Sequence, residues 1–352
     1  MRRIVLLLAC GLYAGAGFAG VAGANESESY TAFAAGKYLT ALELAEKEAE
    51  AGSKEAYTLI GEIYRDGLGV AQDYGKAADA YAKGADLGDP NAQFSLGLLV
   101  VQGRGVRKDP RIAGNLFEQA AKAGNPAAQY NLALLYLSGR GRTADETKAA
   151  EWMEKSANAG NPQAQYDLGA FYQFGRGVPI DKKKAAEWTG KAAEAGLPSA
   201  EVEYATMLFK GQGIEKDEKK AAKLFMLAAE KGNPVAQNRL ARLYANGVGF
   251  EPDTVKAAKW HLLARTAGVS DFALDIMLSK LSKEQRVEAE RLVDGWETGR
   301  LTYDAPAEEP PAQRPPAQEP PAQEPTAQEP PAPGKPPALD SGGTPSVKDP
   351  TP

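Results

Sequence analysis

The sequence predicts an all-α solenoid of antiparallel helix pairs in 36-residue repeats, and three observations predict it. Glycine returns every 36 residues at 52, 88, 124, 160, 196, 232 and 268, without insertion. Each period holds two segments with helical apolar spacing, each bounded by a cap residue and a glycine. Columns of Gly and Ala recur at fixed places within those segments, where they let paired helices approach closely.

The chain has 352 residues and a net charge of −5. Its first segment, residues 1–24, reads as an export signal. Arg2 and Arg3 precede an apolar run from Ile4, and Ala22-Gly23-Ala24 is a small-x-small site before Asn25. Cleavage after Ala24 is the expectation. A membrane anchor is one alternative, since Ile4 to Ala24 carries no charge. Lipidation of Cys10, within Leu7-Leu8-Ala9-Cys10, is the other, on an apolar stretch short for such a leader. The expected location is outside the cytoplasm: periplasmic, with secretion or lipid anchoring as alternatives. Cys10 is the only cysteine, so a cleaved chain has no disulfide or thiol chemistry.

Residues 25–51 are expected to form N-terminal capping helices, with Tyr38 to Ala51 matching a second helix of the repeat because Ala41 lies 36 residues before Ala77. Six repeats follow over 52–268. In the third, Asn125 is an N-cap candidate and Pro126 suits the first helical position, where its missing N–H costs nothing. Ala128, Leu132, Leu135 and Tyr136 then share one face, and Gly139 ends the helix. Asp145 opens a second helix whose face carries Ala149, Met153, Ser156 and Ala157, and Gly160 closes it. The aspartates 73, 109, 145, 181, 217 and 253 form one column. The turn glycines form two more: Gly67, Gly103, Gly139, Gly175, Gly211 and Gly247, each followed two residues later by another glycine.

Residues 269–304 are expected to cap the C-terminal end, with a helix from Ser270 to Ser279 and a second one opened by a Ser282–Gln285 capping box. Ala289, Val293 and Trp296 are placed to dock on the last repeat. Residues 305–352 hold sixteen of the 24 prolines and a five-residue period, EPPAQ, RPPAQ, EPPAQ, EPTAQ, from Glu309 to Gln328. Such a segment offers little apolar area to a core and is expected to be a disordered, polyproline-II-rich tail.

The stretches GNPAAQYNLALLYLSGRG (124–141), GNPQAQYDLGAFYQFGRG (160–177) and GNPVAQNRLARLYANGVG (232–249) each lead to an Asp and then a Lys-Ala-Ala triplet. In these residues the chain resembles the Sel-one-like repeat family of the tetratricopeptide superfamily. The resemblance implies a right-handed superhelix with a concave face, and a non-enzymatic scaffold or adaptor of the bacterial cell envelope that binds a protein partner. Units two and five depart from the pattern, with Ile112, Gly114 and Val100 in one and Leu197 and Leu208 in the other, and are expected to be locally weaker.

Chemistry has few anchors. His261, the only histidine, falls in a mostly apolar column with Tyr81, Phe117 and Met153, and reads as packed rather than catalytic. The aspartate column lacks the neighbouring oxygen ligands of calcium loops and reads as caps. The Gly-x-Gly pairs follow helices rather than strands, so they are not phosphate loops. Trp152, Trp188 and Trp260 share a column with Leu116 and Leu224 and read as packing. The competing function, a hydrolase or cell-wall-modifying enzyme, is suggested by cysteine-rich relatives linked to β-lactams. It lacks their cysteines, any S-x-x-K motif and an acid/base set. No cofactor, metal, small-molecule substrate or nucleic acid is expected, since the body has no basic surplus. For the partner, the candidate contacts are Leu98, Val101 and Arg104, Leu134, Leu137 and Arg140, then Phe174 and Arg176: apolar residues of the first helices beside an arginine repeated in the turns.

Overall fold

The computed structural model describes residues 27–297 and Gly299. The expected leader and proline-rich tail lie outside these residues. The described part is all helical, without a strand. Two helices open it, a short α1 (Glu28–Ala34) and α2 (Tyr38–Glu50). Six pairs follow: α3 (Lys54–Asp66) with α4 (Tyr74–Asp86), α5 (Pro90–Gln102) with α6 (Pro110–Lys122), and α7 (Pro126–Ser138) with α8 (Glu146–Asn158). The others are α9 (Pro162–Phe174) with α10 (Lys182–Glu194), α11 (Pro198–Lys210) with α12 (Glu218–Glu230), and α13 (Pro234–Asn246) with α14 (Thr254–Thr266). Two helices close the stack, α15 (Phe272–Ser279) and α16 (Lys283–Glu297). Each helix from α1 to α14 packs on its successor and α16 folds back onto α14, building a right-handed superhelical solenoid.

Local chemistry sets the helix lengths. Asn125 Oδ1 accepts the backbone N–H of Ala128 at 2.8 Å, Pro126 takes the first position, and Gly139 ends α7 at φ +67°, in the left-handed region. All six aspartates of the column cap a second helix by accepting backbone N–H groups, as Asp145 does from Lys148 at 3.0 Å. In unit five Leu197 takes the N-cap backbone conformation without a side-chain bond and packs against the core instead.

Two close approaches explain the small-residue columns. Within a pair, a Cβ on Gly61 would overlap the Tyr81 ring, one on Gly97 the Phe117 ring, and one on Gly169 the Thr189 side chain. The first helix thus provides a seat for the large residue of the second. Between pairs, a Cβ on Gly105, Gly141, Gly177 or Gly213 would overlap the backbone carbonyl of Tyr74, Pro110, Glu146 or Lys182. Each of those residues is the first of a second helix in the preceding unit. The second glycine of each turn is therefore where one unit's loop closes on its neighbour.

The C-terminal end differs slightly from the expectation. The helix expected from Ser270 begins at Phe272, because Asp271 caps it, accepting from Leu274 N at 3.4 Å. The capping box forms in both directions: Ser282 N donates to Gln285 Oε1 at 3.0 Å and Gln285 N to Ser282 Oγ at 3.2 Å. Ala289 is buried, and Trp296 meets Trp260 edge-on while its Nε1 donates to Glu230 at 2.9 Å.

Candidate partner-binding surface

The first helices of the pairs stand side by side on one wall of the solenoid. Side-chain hydrogen bonds run from one to the next. Asn125 Nδ2 donates to Asn91 Oδ1 at 2.9 Å, and Tyr130 Oη to Asp167 Oδ2 at 2.8 Å. At the end of the row, Asn238 Nδ2 and Arg242 Nε donate to Asp271 Oδ2 at 3.0 and 2.5 Å. At its start, Thr58 donates to Asp89. The accessible residues of these helices fall at i, i+4 and i+7 or i+8, as in Phe94, Leu98 and Val101, and most are only half exposed. The second helices instead turn fully exposed Glu and Lys residues outward, as Glu151, Glu154 and Lys155 do in α8. The less exposed first helices, several of them bonded to one another, form the closed face of the stack, the inner wall, and the second helices its open face.

On this wall the helices α5 and α7 contain no charged residue. Leu98 and Val101 are half-buried and pack with Phe94, and Leu134 and Leu137 are half-buried on the next cluster beside Tyr130. Phe174, at the end of α9, is 67% exposed. The arginines do not join this strip. Arg104 lies over the Tyr74 ring at 5.4 Å, and Arg176 pairs with Glu146 at 3.1 Å. Both reach back to the start of the preceding unit's second helix, at the loop edge of the wall. Arg140 is exposed and makes no ion pair among the described residues. Its neighbour Arg142 binds Gly114 O at 2.8 Å and Glu118 at 2.5 Å.

Two carboxylates on the inner wall escaped sequence reasoning. Glu62 occupies the column of Leu98, Leu134 and Ala170. Burial pushes its carboxyl up to about 6, with nearby Arg65 opposing and Asp66 and Asp89 reinforcing the shift. Asp167 is also raised by burial, against hydrogen bonds from Tyr130 and Gln163 that hold its charge. A carboxylate breaking an apolar column was the available signal for Glu62.

The remaining candidates are structural. His261 is fully buried, with Nε2 2.8 Å from Asp275 Oδ1, in the contact between the last repeat and α15. The faces of Trp152, Trp188 and Trp260 are covered by Lys155, Lys191 and Lys259 at 3.8–4.2 Å. Among the described residues no group of three or more His, Cys, Asp or Glu is placed to hold a metal ion, and no helix is long and apolar enough to cross a membrane.

Six consecutive matches to the Sel1 repeat, over residues 54–89, 90–125, 126–161, 162–197, 198–233 and 234–269, cover more than half of the chain. A Sel1 repeat protein from Oxalobacter formigenes is similar in structure, with a TM-score of 0.58 and 29% identity over 69% of this chain and 97% of its own. So is c5321, a protective antigen of uropathogenic Escherichia coli with an SLR fold, with a TM-score of 0.50 and 28% identity over 80% of this chain and 73% of its own. Among curated protein sequences none matches. The chain belongs to the Sel1 repeat family.

Proposed function

We propose that this Sel1 repeat protein is a non-catalytic scaffold of the bacterial cell envelope that holds a segment of a partner protein on its first-helix wall. The contacts are Leu98, Val101, Leu134, Leu137 and Phe174, with Arg104, Arg140 and Arg176 along the loop edge. One observation carries the reading: the first helices of two consecutive units carry no charge and leave a half-exposed aromatic and aliphatic strip. A strip of that kind on a stable repeat framework marks an interaction surface. The export-signal pattern of residues 1–24 supports placement in the envelope, and the similar E. coli protein is a protective antigen.

The test is co-purification from native envelope extracts with the full chain as bait, alongside a Leu98→Asp/Leu134→Asp variant. Both positions are half-exposed, and their column tolerates Glu62 and Arg242 in other units. Loss of a stoichiometric partner with unchanged melting supports the reading. Retention of every partner by the variant overturns it. Intact mass of the native protein tests the export step, with cleavage after Ala24 as the expected result.

A further inference from the structure

We propose that the inner wall reads a partner segment in one direction, seating a lysine or arginine of that segment at Glu62 and apolar residues on α5 and α7. The inference rests on the scaffold reading above and adds the chemistry and polarity of the occupant.

The charge of the wall differs between its two ends. Its first unit presents Glu55, Glu62 and Asp66 against Lys54 and Arg65. The first helices of units two and three present only uncharged groups, among them Phe94, Leu98, Tyr130 and Leu134, with Arg104 and Arg140 at their loop edge. Units four and five add Asp167, which Tyr130 and Gln163 already hold, and Glu203. The last unit presents Arg239, and Arg242 bonded to Asp271. A cation-bearing end of a bound segment is therefore attracted towards α3 and repelled from α13.

Glu62 is the member of the acidic end that lacks compensation. The cation nearest in sequence, Arg65, is committed to Asp66, to which its Nε and Nη2 donate at 2.8 and 2.6 Å. Asp89 is buried and satisfied by the Thr58 hydroxyl and by Asn91 N at 3.0 Å. Glu62 itself makes no hydrogen bond or ion pair among the described residues, although burial already disfavours its charge. Beside it lies the hydroxyl of fully buried Tyr81, whose one polar neighbour in the core is Ser95 and whose own ionisation burial and the Glu62 charge both oppose. A half-buried carboxylate with no partner gains more from an incoming cation than an exposed one does, because part of its desolvation is already complete. Tyr30, with its hydroxyl 3.4 Å from Glu55 O, adds an aromatic neighbour that suits a cation.

The repeat sets the spacing that the segment must match. Packed helices lie about 8–10 Å apart, and an extended chain advances about 3.3 Å per residue. α3 touches α5 directly, so that step is spanned by about three residues. The segment should carry its basic residue about three positions from an apolar residue above Phe94 and Leu98, with a second apolar residue farther along above Tyr130 and Leu134.

A display library of random 16-residue peptides selected against the full chain tests this. The expected enrichment is a Lys or Arg about three residues from the nearer of two apolar residues. A synthesised winner should lose about tenfold in affinity when its basic residue becomes Glu. With the Glu62→Gln protein that discrimination should fall to about threefold or less. Acidification from pH 7.5 to 5 should weaken binding of the winner to the native chain several-fold, and to the variant hardly at all, since burial raises the Glu62 carboxyl, while Arg65, Asp66, Asp89, Tyr30 and Tyr81, which surround it, are the same in both chains. Winners lost on Leu98→Asp/Leu134→Asp but indifferent to Glu62→Gln overturn the cation seat and leave the scaffold reading standing. Winners indifferent to both variants, or no enrichment, overturn both.

Discussion

Replacing Gly177 by alanine isolates the force that joins neighbouring repeats. Gly177 sits at φ +67°, and an added Cβ would run into the backbone carbonyl of Glu146, the first residue of α8. Gly160 is the control: its φ is +86°, and a Cβ there meets nothing within 4 Å. Both substitutions carry the left-handed backbone cost, about 1–2 kcal/mol. Only Gly177→Ala adds a collision with backbone that cannot swing aside, worth about 1–3 kcal/mol by analogy with overpacked cores. Gly177→Ala is thus expected to cost about 2–5 kcal/mol and Gly160→Ala about 1–2. Urea unfolding followed by circular dichroism measures the difference, and hydrogen exchange should place the loosening at α8 and α9, because solenoid units depend on their neighbours. Losses equal within about 0.5 kcal/mol would refute the argument that the second glycine of each turn is an inter-unit contact rather than a turn former.

Three further outcomes follow from the same structure. Asp145→Ala removes the carboxylate that caps α8 and should cost about 1 kcal/mol in urea unfolding, whereas Asp145→Asn should keep most of it. Glu62→Gln should stabilise the fold at pH 8 and leave it unchanged at pH 4. A carboxyl raised to about 6 favours the protonated fold, so its contribution is complete below its ordinary value near 4.5 and is lost as pH rises through 6. The full shift corresponds to about 2 kcal/mol, and solvent screening brings it nearer to 1, a gain of about 2 °C in melting temperature for a body of this size. A chain ending at Asp304 should melt within a few degrees of the full protein, and a much lower midpoint would mean that the tail contributes to the fold.

The framework was legible because each of its requirements recurs. Aspartate caps, left-handed glycines and small seats repeat every 36 residues, and each maps onto one local hydrogen bond or one close approach. The turn arginines were legible only as a column. Arg104 and Arg176 look free in sequence, yet each is held by a residue 30 positions earlier, Tyr74 or Glu146, across the contact between units. That contact depends on superhelical geometry, which no short window of sequence contains. Glu62 was hidden for a related reason. Its surroundings come from three helices, with Tyr30 on α1, Tyr81 on α4 and Asp89 at the start of α5, so its desolvation is a tertiary property. The start of α15 was misplaced because Asp271 is also the acceptor for Asn238 and Arg242, which fixes it as a cap.

The contrast between columns locates specificity. The glycine and aspartate columns are unchanged through six units because backbone geometry depends on them, and any change there disturbs the stack. The inner column that starts at Glu62 continues Leu98, Leu134, Ala170, Thr206 and Arg242. Six helices of equal length and equivalent position thus tolerate a carboxylate, three aliphatics, a hydroxyl and a guanidinium at one site. Packing within the pair cannot be what selects these side chains, since the same framework accepts them all. What differs from unit to unit is the surface each presents on the inner wall, so under the proposed scaffold function it is these variable columns that would carry recognition. Exchanging Glu62 with Arg239, which is exposed, would keep composition and net charge while reversing the contrast between the two ends and leaving the Arg242–Asp271 contact in place. A scaffold that reads direction should then prefer peptides with the basic residue displaced towards α13, and unchanged preference would show that the contrast has no part in binding.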